Sequence, residues 1–259
     1  MIDLIIPCFR RDQDLRFWLT FGQQLLEPFC LSSIILGCGP FVLVLAQNGP
    51  IRGSAWTRYA SPEKSSLSNS CFGSRYSKSV LQLQSFAFST ADYLFFLDCD
   101  LRLTQSSLHG LLDCFSKSIR TRKAVYIKNI YEIGLSSATT RWSGELPILF
   151  TASDGSKFIK IQRWTSVNTR PGFGNLICKR EDYVKCGGHD VRYSSYGWED
   201  HDLLISLQLK GCTLMSASYA FHHTHDDSLR LLGGFTRSQC VKRSKQVFME
   251  KYADLIHSQ

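Results

Sequence analysis

Two aspartates, Asp98 and Asp100, stand one residue apart directly after the apolar run 93–97. A run that is apolar throughout is typical of a strand covered on both faces. Ligands of open α/β sheets bind at the carboxyl ends of the strands, and Mg²⁺ and Mn²⁺ prefer oxygen ligands such as carboxylates. The pair is therefore a candidate metal site, although an isolated Asp-x-Asp more often caps a turn in solvent.

A second group of acids, Glu199, Asp200 and Asp202, lies where a helix is predicted to begin. Acids at a helix N-terminus stabilise the helix by capping and by opposing its dipole. A carboxylate held at such a position is also able to act as a general base toward a sugar hydroxyl. The neighbouring Trp198 could stack on the face of that sugar.

Three histidines, His222, His223 and His225, follow a predicted strand within four residues. Neutral imidazole is a common ligand of transition metals. A set that combines histidine with carboxylates favours Mn²⁺ over Mg²⁺.

The elements that must position these residues alternate along the first half of the chain. Apolar runs predict strands at 3–7, 41–46, 93–97 and 123–127. Helical periodicity predicts helices at 13–26 and 77–90 and a third that begins after Thr104, whereas 51–74 is predicted to be a loop. The second half is more mixed, with strands predicted at 157–164, 174–179 and 212–221 and helices at 180–186, 200–209 and 236–256. This alternation predicts an α/β fold with a mostly parallel central sheet and helices on both faces.

Composition limits the classes of protein to consider. The chain has 259 residues, 44% hydrophobic and 20% charged, which fits one large globular domain rather than a disordered chain. A net charge of +8 suits an anionic partner or simply a basic protein. No apolar run approaches the ~20 residues that span a bilayer. No signal peptide is recognisable, so a cytoplasmic location is expected, with peripheral membrane contact left open. The ten cysteines form no C-x-x-C pair, which favours free thiols over zinc ligands or disulfides.

Five segments in order carry a resemblance to a known family. They are Ile5-Ile6-Pro7-Cys8-Phe9-Arg10-Arg11, Asp98-Cys99-Asp100, Gly187-Gly188-His189-Asp190, Gly197-Trp198-Glu199-Asp200 and His222. Together they resemble the GT-A (Rossmann-like) glycosyltransferases, and more narrowly the β-1,4-galactosyltransferases and bacterial chondroitin-synthase-like enzymes. The resemblance covers roughly residues 1 to 225. It implies a GT-A domain over 1–235, followed by a basic amphipathic helix over 236–259.

The resemblance also implies roles for the acids and histidines. A bound Mn²⁺ (or Mg²⁺) would have Asp100 as its principal ligand, with Asp98, His222 and, as a second choice, His225 beside it. Asp200 would be the catalytic base, and Glu199 would bind the acceptor with Trp198. Retaining relatives tend to carry Asn where Asp200 stands, so Asp200 favours inversion.

The same resemblance implies a binding site for a nucleotide sugar. The matching positions are Pro7, Phe9, Arg11, Asn48, Lys78, Asp98, Gly174 and Asn175. Many relatives carry an acid that reads uracil near position 48, whereas this chain has Gln47-Asn48.

The expected activity is an inverting transfer of a hexose or N-acetylhexosamine from a UDP-linked or other nucleotide diphosphate sugar to a glycan or other hydroxyl acceptor. One alternative is a sugar-phosphate nucleotidyltransferase, although residues 5–13 lack the glycine-rich phosphate loop typical of that class. A second alternative is a non-catalytic carbohydrate-binding protein on the same fold. Nucleic acid is not an expected partner, because the basic C-terminal helix lacks interleaved exposed aromatic residues. The oligomeric state is left open.

Overall fold

The computed structural model describes residues 1–8, 12–21, 24, 31–38, 41–46, 57–60, 77–117, 121–133, 141–194, 196–223 and 235–256. Four candidate site residues, Phe9, Arg11, Asn48 and His225, lie outside the described residues. Their assignments remain predictions.

The described residues form eleven strands, six α-helices and a 3-10 helix at Ala253–Leu255. The strands are β1 Ile2–Pro7, β2 Leu31–Gly37, β3 Phe41–Ala46, β4 Thr57–Ala60, β5 Tyr93–Phe96, β6 Leu101–Arg102, β7 Lys123–Ile133, β8 Arg141–Thr151, β9 Lys157–Val167, β10 Thr169–Lys179 and β11 Thr213–His223. The helices are α1 Asp12–Phe21, α2 Lys78–Phe86, α3 Gln105–Ser116, α4 Arg180–Lys185, α5 Glu199–Leu209 and α6 Arg237–Lys251.

Nine strands form one central sheet in the order β4-β3-β2-β1-β5-β10-β7-β11-β6. Only β1–β2, β1–β5 and β7–β11 pair in parallel, and the other five pairs are antiparallel. The prediction of a mostly parallel sheet is therefore wrong, because the sheet is mixed. Between β7 and β10 the chain makes a hairpin, β8–β9, rather than the helical crossover that a parallel return requires. Strand β10 consequently runs antiparallel to both of its neighbours.

Helices cover both faces of this sheet, as the alternation predicted. On one face, Trp18 of α1 and Leu108 and Leu111 of α3 pack with Leu4 and Ile6. On the other face, α2, α4 and α5 pack against the intervening side chains of the same strands. Alternate residues of β1 and β5 point to opposite faces, so both strands are buried on both sides.

A third cluster joins the hairpin β8–β9 to the helices α5 and α6. Ile159, Trp198, Phe248 and Tyr252 are buried together there. Helix α6 begins at a capping box formed by Thr236 and Gln239. It therefore packs into the core rather than lying apart from it.

Three basic residues of α6 pair with residues outside this helix. Lys245 pairs with Glu145 at 2.6 Å, and Lys251 pairs with Asp202 at 2.8 Å. Arg237 donates a hydrogen bond to the Tyr196 hydroxyl at 2.9 Å.

Four strands were not predicted: β2, β4, β6 and β8. Strand β4 lies inside the predicted loop 51–74 and pairs with the edge of β3. Strand β8 carries Gly144 and Pro147, residues that argue against a strand in sequence. These two residues are tolerated because β8 pairs with β9 alone, in a separate two-stranded sheet.

The described cysteines form no disulfide, as expected. They are Cys8, Cys38, Cys99, Cys114, Cys178, Cys186, Cys212 and Cys240. Within the described ranges, no helix has both the length and the hydropathy of a membrane span.

Candidate active site

The Asp-x-Asp segment is held at the carboxyl end of β5 by side chains from neighbouring elements. The Asp98 amide donates to Asn175 Oδ1 at 2.7 Å, and Asn175 Nδ2 donates to Asp98 Oδ2 at 3.1 Å. The Cys99 carbonyl accepts from the Trp18 indole at 3.0 Å and from the Arg102 guanidinium at 2.8 Å. Because Asn175 is 1% exposed, its amide is committed to Asp98. The segment is therefore fixed before any ligand binds.

One lysine links the two groups of acids that the sequence singled out. Lys78, the first residue of α2, lies with Nζ 2.7 Å from Asp98 Oδ1 and 2.9 Å from Asp200 Oδ1. Burial disfavours the ammonium, but the neighbouring carboxylates outweigh it and raise the pKa of Lys78. Asp98 and Asp200 therefore face one another across a single cation, although they are far apart in sequence.

Asp100 and His222 meet at the other side of the segment. The short strand β6 pairs antiparallel with β11, and Leu101 stands opposite His222. As a result, His222 Nε2 lies 3.2 Å from Asp100 Oδ2. Burial disfavours the imidazolium, but hydrogen bonds to Asp100 and Glu132 outweigh it and raise the pKa of His222. The predicted pairing of Asp100 with a distant histidine is thus present as a direct contact.

Two further residues belong to this site and were not predicted. Glu132 of β7 lies with Oε2 2.5 Å from His222 Nδ1, and its Oε1 accepts from Arg170 Nε at 3.1 Å. Neither residue belongs to a recognisable motif. The pairing of β7 with β11 sets Glu132 opposite His222, and this register is the only signal that could have found it.

The start of α5 is set by an unusual turn. Gly197 and Trp198 both have positive φ, 97° and 67°, which is costly for a tryptophan. The Trp198 side chain compensates by packing against Phe248, with ring centroids 5.0 Å apart. Trp198 is only 5% exposed, so little of its ring remains to meet an acceptor sugar. We assign the ring a packing role that fixes the first turn of α5.

The acids of α5 have separate environments. Asp202 is fully buried and accepts hydrogen bonds from Lys251 and Tyr252 of the α6 segment, each at 2.8 Å. Asp200 faces Lys78. The first turn therefore has one acid anchored in the core and one directed into the site.

Burial dominates the electrostatics of Glu199 and Asp200. Burial, with the nearby charge of Asp200, raises the pKa of Glu199 to about 8. The pKa of Asp200 is also raised, mainly by burial and against the opposing effect of Lys78. Glu199 Oε2 is buried and has no hydrogen-bond partner among the described residues. An uncharged carboxyl group with one unpaired oxygen suits a ligand hydroxyl.

Gly174 of β10 allows the close approach of α5 to the sheet. A Cβ atom at this position would overlap the Asp200 carboxylate. Gly174 therefore packs beside the candidate base. Pro7, also predicted to line the nucleotide site, is buried at the carboxyl end of β1.

The described residues bring two of the predicted metal ligands face to face. Across the part of the chain that the structure describes, no three His, Cys, Asp or Glu side chains are grouped to hold a metal ion. Asp98 is engaged by Lys78 and Asn175, which leaves Asp100 and His222 as the facing pair. One carboxylate and one imidazole, backed by Glu132, fit an open site whose other ligands are phosphate oxygens and water.

The chain was compared with known protein families. A family model described as the N-terminal domain of galactosyltransferase matches residues 157–226. The matched segment is related to the galactosyltransferases. This galactosyltransferase-related segment contains Gly174, Asn175, Glu199, Asp200 and His222. The match confirms the resemblance to GT-A glycosyltransferases related to β-1,4-galactosyltransferase that the motifs indicated.

Solved structures were also compared. The catalytic domain of Drosophila β-1,4-galactosyltransferase 7 in complex with xylobiose is 12% identical and has a TM-score of 0.47, and the match covers 94% of this chain and 79% of that chain. A mutant of that enzyme in complex with manganese, UDP-Gal and xylobiose is 10% identical and has a TM-score of 0.46, with 92% and 77% covered. No curated protein sequence matches the chain.

Proposed function

We propose that this chain is an inverting glycosyltransferase that moves a hexose or N-acetylhexosamine from a nucleotide diphosphate sugar to a hydroxyl of a glycan acceptor. One observation carries the proposal: Asp98 after β5 and Asp200 at the start of α5 converge on the ammonium of Lys78. A donor site and a base are therefore a few ångströms apart, as a single displacement requires.

Asp200 is the proposed base. It takes the proton of the acceptor hydroxyl, whose oxygen then bonds to the anomeric carbon of the donor sugar. The bond between that carbon and the diphosphate oxygen breaks, and the nucleoside diphosphate leaves with the electron pair. A pKa raised by burial makes Asp200 a stronger base than an exposed aspartate.

Cationic groups would counter the charge of the leaving diphosphate. A divalent cation held by Asp100 and His222 would supply Lewis-acid stabilisation of that charge. Lys78 is the nearest protein cation, and it is bonded to Asp200 in this state. A diphosphate that binds Lys78 would release Asp200 to act as a base, so donor binding would precede proton removal.

Glu199 is the proposed acceptor ligand. Its unpaired, buried carboxyl oxygen gives a sugar hydroxyl a partner next to the base. Because the pKa of Glu199 is about 8, the group is uncharged at neutral pH and is able to donate as well as accept.

Transfer assays with Asp200→Asn test this proposal. UDP-galactose is the first donor to try, because the matched family is that of the galactosyltransferases. We expect kcat for transfer to a disaccharide acceptor to fall by about 10²–10⁴-fold, with donor affinity retained. Asp113→Asn, which changes an exposed acid on α3, should leave kcat unchanged. Transfer by Asp200→Asn at the wild-type rate would refute the assignment of the base.

A further inference from the structure

Glu132 is a buried acid whose partners both face the candidate active site. Its side chain is 4% exposed. One oxygen contacts His222 Nδ1, and the other accepts from Arg170 Nε. Burying an ionised carboxylate is costly unless hydrogen bonds compensate it. Here both oxygens are compensated by groups directed at the site.

Asp3, a buried acid with a structural role, has hydrogen-bond partners of a different kind. Asp3 is buried in β1 and is bonded by Ser33, Ser89 and the amides of Thr90 and Ala91. Those partners tie loops and strands together within the core. Glu132, in contrast, joins two side chains whose other ends lie near the acids of the site.

The contact with Glu132 fixes the orientation of the His222 ring. A carboxylate only accepts hydrogen bonds, so Nδ1 must carry the proton that faces it. Nε2 lies 3.2 Å from Asp100 Oδ2, and with Nδ1 held by Glu132 it is the nitrogen whose proton a cation would replace. Carboxylates that hold the second nitrogen of a metal-binding histidine commonly set its tautomer in this way.

Arg170 is held by the same carboxylate. Its guanidinium lies above the Trp142 ring at 5.9 Å, and its charge acts on both Asp98 and Asp200. The hydrogen bond from Nε to Glu132 therefore holds a second cation, besides Lys78, near Asp98 and Asp200.

We propose that Glu132 is a positioning residue that holds His222 with Nε2 directed at Asp100 for a divalent cation, and holds Arg170 beside the same site. This inference rests on the proposed function, because it assigns a role toward the metal of that site. It concerns cation binding in the free protein, so it is separable from catalysis.

The substitution Glu132→Gln gives a specific expectation. Arg170 always donates, so the amide oxygen must face Arg170 and the amide NH₂ must face Nδ1. The ring then carries its proton on Nε2, where a cation would bind. We expect the Kd for Mn²⁺ to rise by about 10–100-fold. Glu132→Ala leaves the ring free to choose its tautomer and should weaken binding no more than Glu132→Gln.

Binding is measured on the full chain by electron paramagnetic resonance of free Mn²⁺, with Mn²⁺ alone and with Mn²⁺ plus UDP. The matched control is Glu145→Gln, which removes a glutamate paired with Lys245 away from the site. Its Kd should stay within about twofold of wild type. Thermal unfolding without Mn²⁺ identifies a merely structural role, which would lower the midpoint but leave the Kd of the folded protein unchanged.

The possible results distinguish the proposed role of Glu132 from the proposed function of the chain. A wild-type Kd in Glu132→Gln overturns the inference and leaves the proposed function intact. A wild-type chain that binds no Mn²⁺, alone or with UDP, overturns both the cation site and the role of Glu132. Loss of Mn²⁺ affinity in Glu132→Gln but not in Glu145→Gln supports the inference, even if Asp200→Asn proves that the base is another residue.

Discussion

Replacing Lys78 with methionine tests whether one shared ammonium holds the site together. Methionine keeps an unbranched apolar stem and removes the charge. The two ion pairs measure 2.7 Å to Asp98 and 2.9 Å to Asp200, and the three side chains are 21%, 24% and 27% exposed. Without the ammonium, two ionised carboxylates would face each other in a partly desolvated site.

The expected loss of stability lies between two known limits. Exposed ion pairs contribute about 0.2–1 kcal/mol, whereas removing one partner of a fully buried pair costs about 3–5 kcal/mol. The pairs of Lys78 keep part of their contact with water. We therefore expect Lys78→Met to lower the free energy of unfolding by about 2–3 kcal/mol at neutral pH. For a chain of this size, that loss corresponds to a fall of about 5–10 °C in the unfolding midpoint.

The loss of unfolding free energy caused by Lys78→Met should become smaller in acid. In the wild type, burial opposes ionisation of Asp98, but Lys78 outweighs it and lowers the pKa below 3.8. Asp98 thus contributes stability that is present above its unfolded pKa and lost as pH falls through the folded pKa. In the variant, the lowering effect of Lys78 is lost while burial and the charge of Asp100 still oppose ionisation, so the folded pKa rises and ionised Asp98 destabilises the fold until pH falls through that raised value. The difference between the proteins therefore decreases from neutral pH toward about pH 4.

Urea unfolding followed by circular dichroism, at neutral pH and at about pH 5, measures both effects. Lys245→Met is the matched control, because that lysine has one acidic partner among the described residues, Glu145, and both side chains are about one-third exposed. It should cost under about 1 kcal/mol, with little dependence on pH. Equal losses for the two variants at both pH values would refute a shared ammonium as the electrostatic centre of the site.

Two further predictions follow from the packing of β10 and α5. Gly174→Ala places a methyl group on the Asp200 carboxylate, so kcat for sugar transfer should fall by about 10²-fold. The control is Gly110→Ala, whose Cβ meets Ser218 Oγ at an ordinary 3.7 Å and which should leave kcat unchanged. Equal kcat values for the two variants would show that Gly174 is not needed for the placement of the base. Glu199→Gln should change the pH dependence of stability: the pKa of Glu199 is raised from 4.5 to about 8, so wild type is fully stabilised below 4.5 and loses stability as pH rises to about 8. The variant lacks this loss, so across that interval its free energy of unfolding should rise by up to about 5 kcal/mol relative to wild type. Parallel pH profiles of the two proteins in urea titrations would contradict the raised pKa.

The features predicted correctly from sequence are those that depend on local pattern. The run 93–97 is apolar because β5 is buried on both faces, and the acids that follow it leave the sheet where ligands bind. Thr104 caps α3 as predicted, accepting from the amide of Ser107. The pairing of Asp100 with His222 came from the resemblance to a family, since nothing local relates residues on β6 and β11.

The features that could not be predicted from the sequence depend on strand order. A helix after β7 would have returned the chain in parallel and satisfied the alternation rule. The hairpin β8–β9 returns it antiparallel instead, and its glycine and proline hide one of its strands from propensity arguments. The prediction for Trp198 depended on the assumption that an aromatic ring beside acids faces solvent, whereas the strained turn at 197–198 needs that ring in the core.

Strand register explains why Glu132 was missed and why it matters. Because side chains alternate along a strand, a shift of one residue between β7 and β11 would turn Glu132 to the opposite face of the sheet. In the observed register, His222 lies opposite Leu101 of β6 on one side and opposite Glu132 of β7 on the other. Leu101 directly follows Asp100 in the chain. The antiparallel course of β10 brings Arg170 against the same strand β7, where its guanidinium reaches Glu132. The mixed sheet is thus what brings a carboxylate, an imidazole and a guanidinium from three strands into one site.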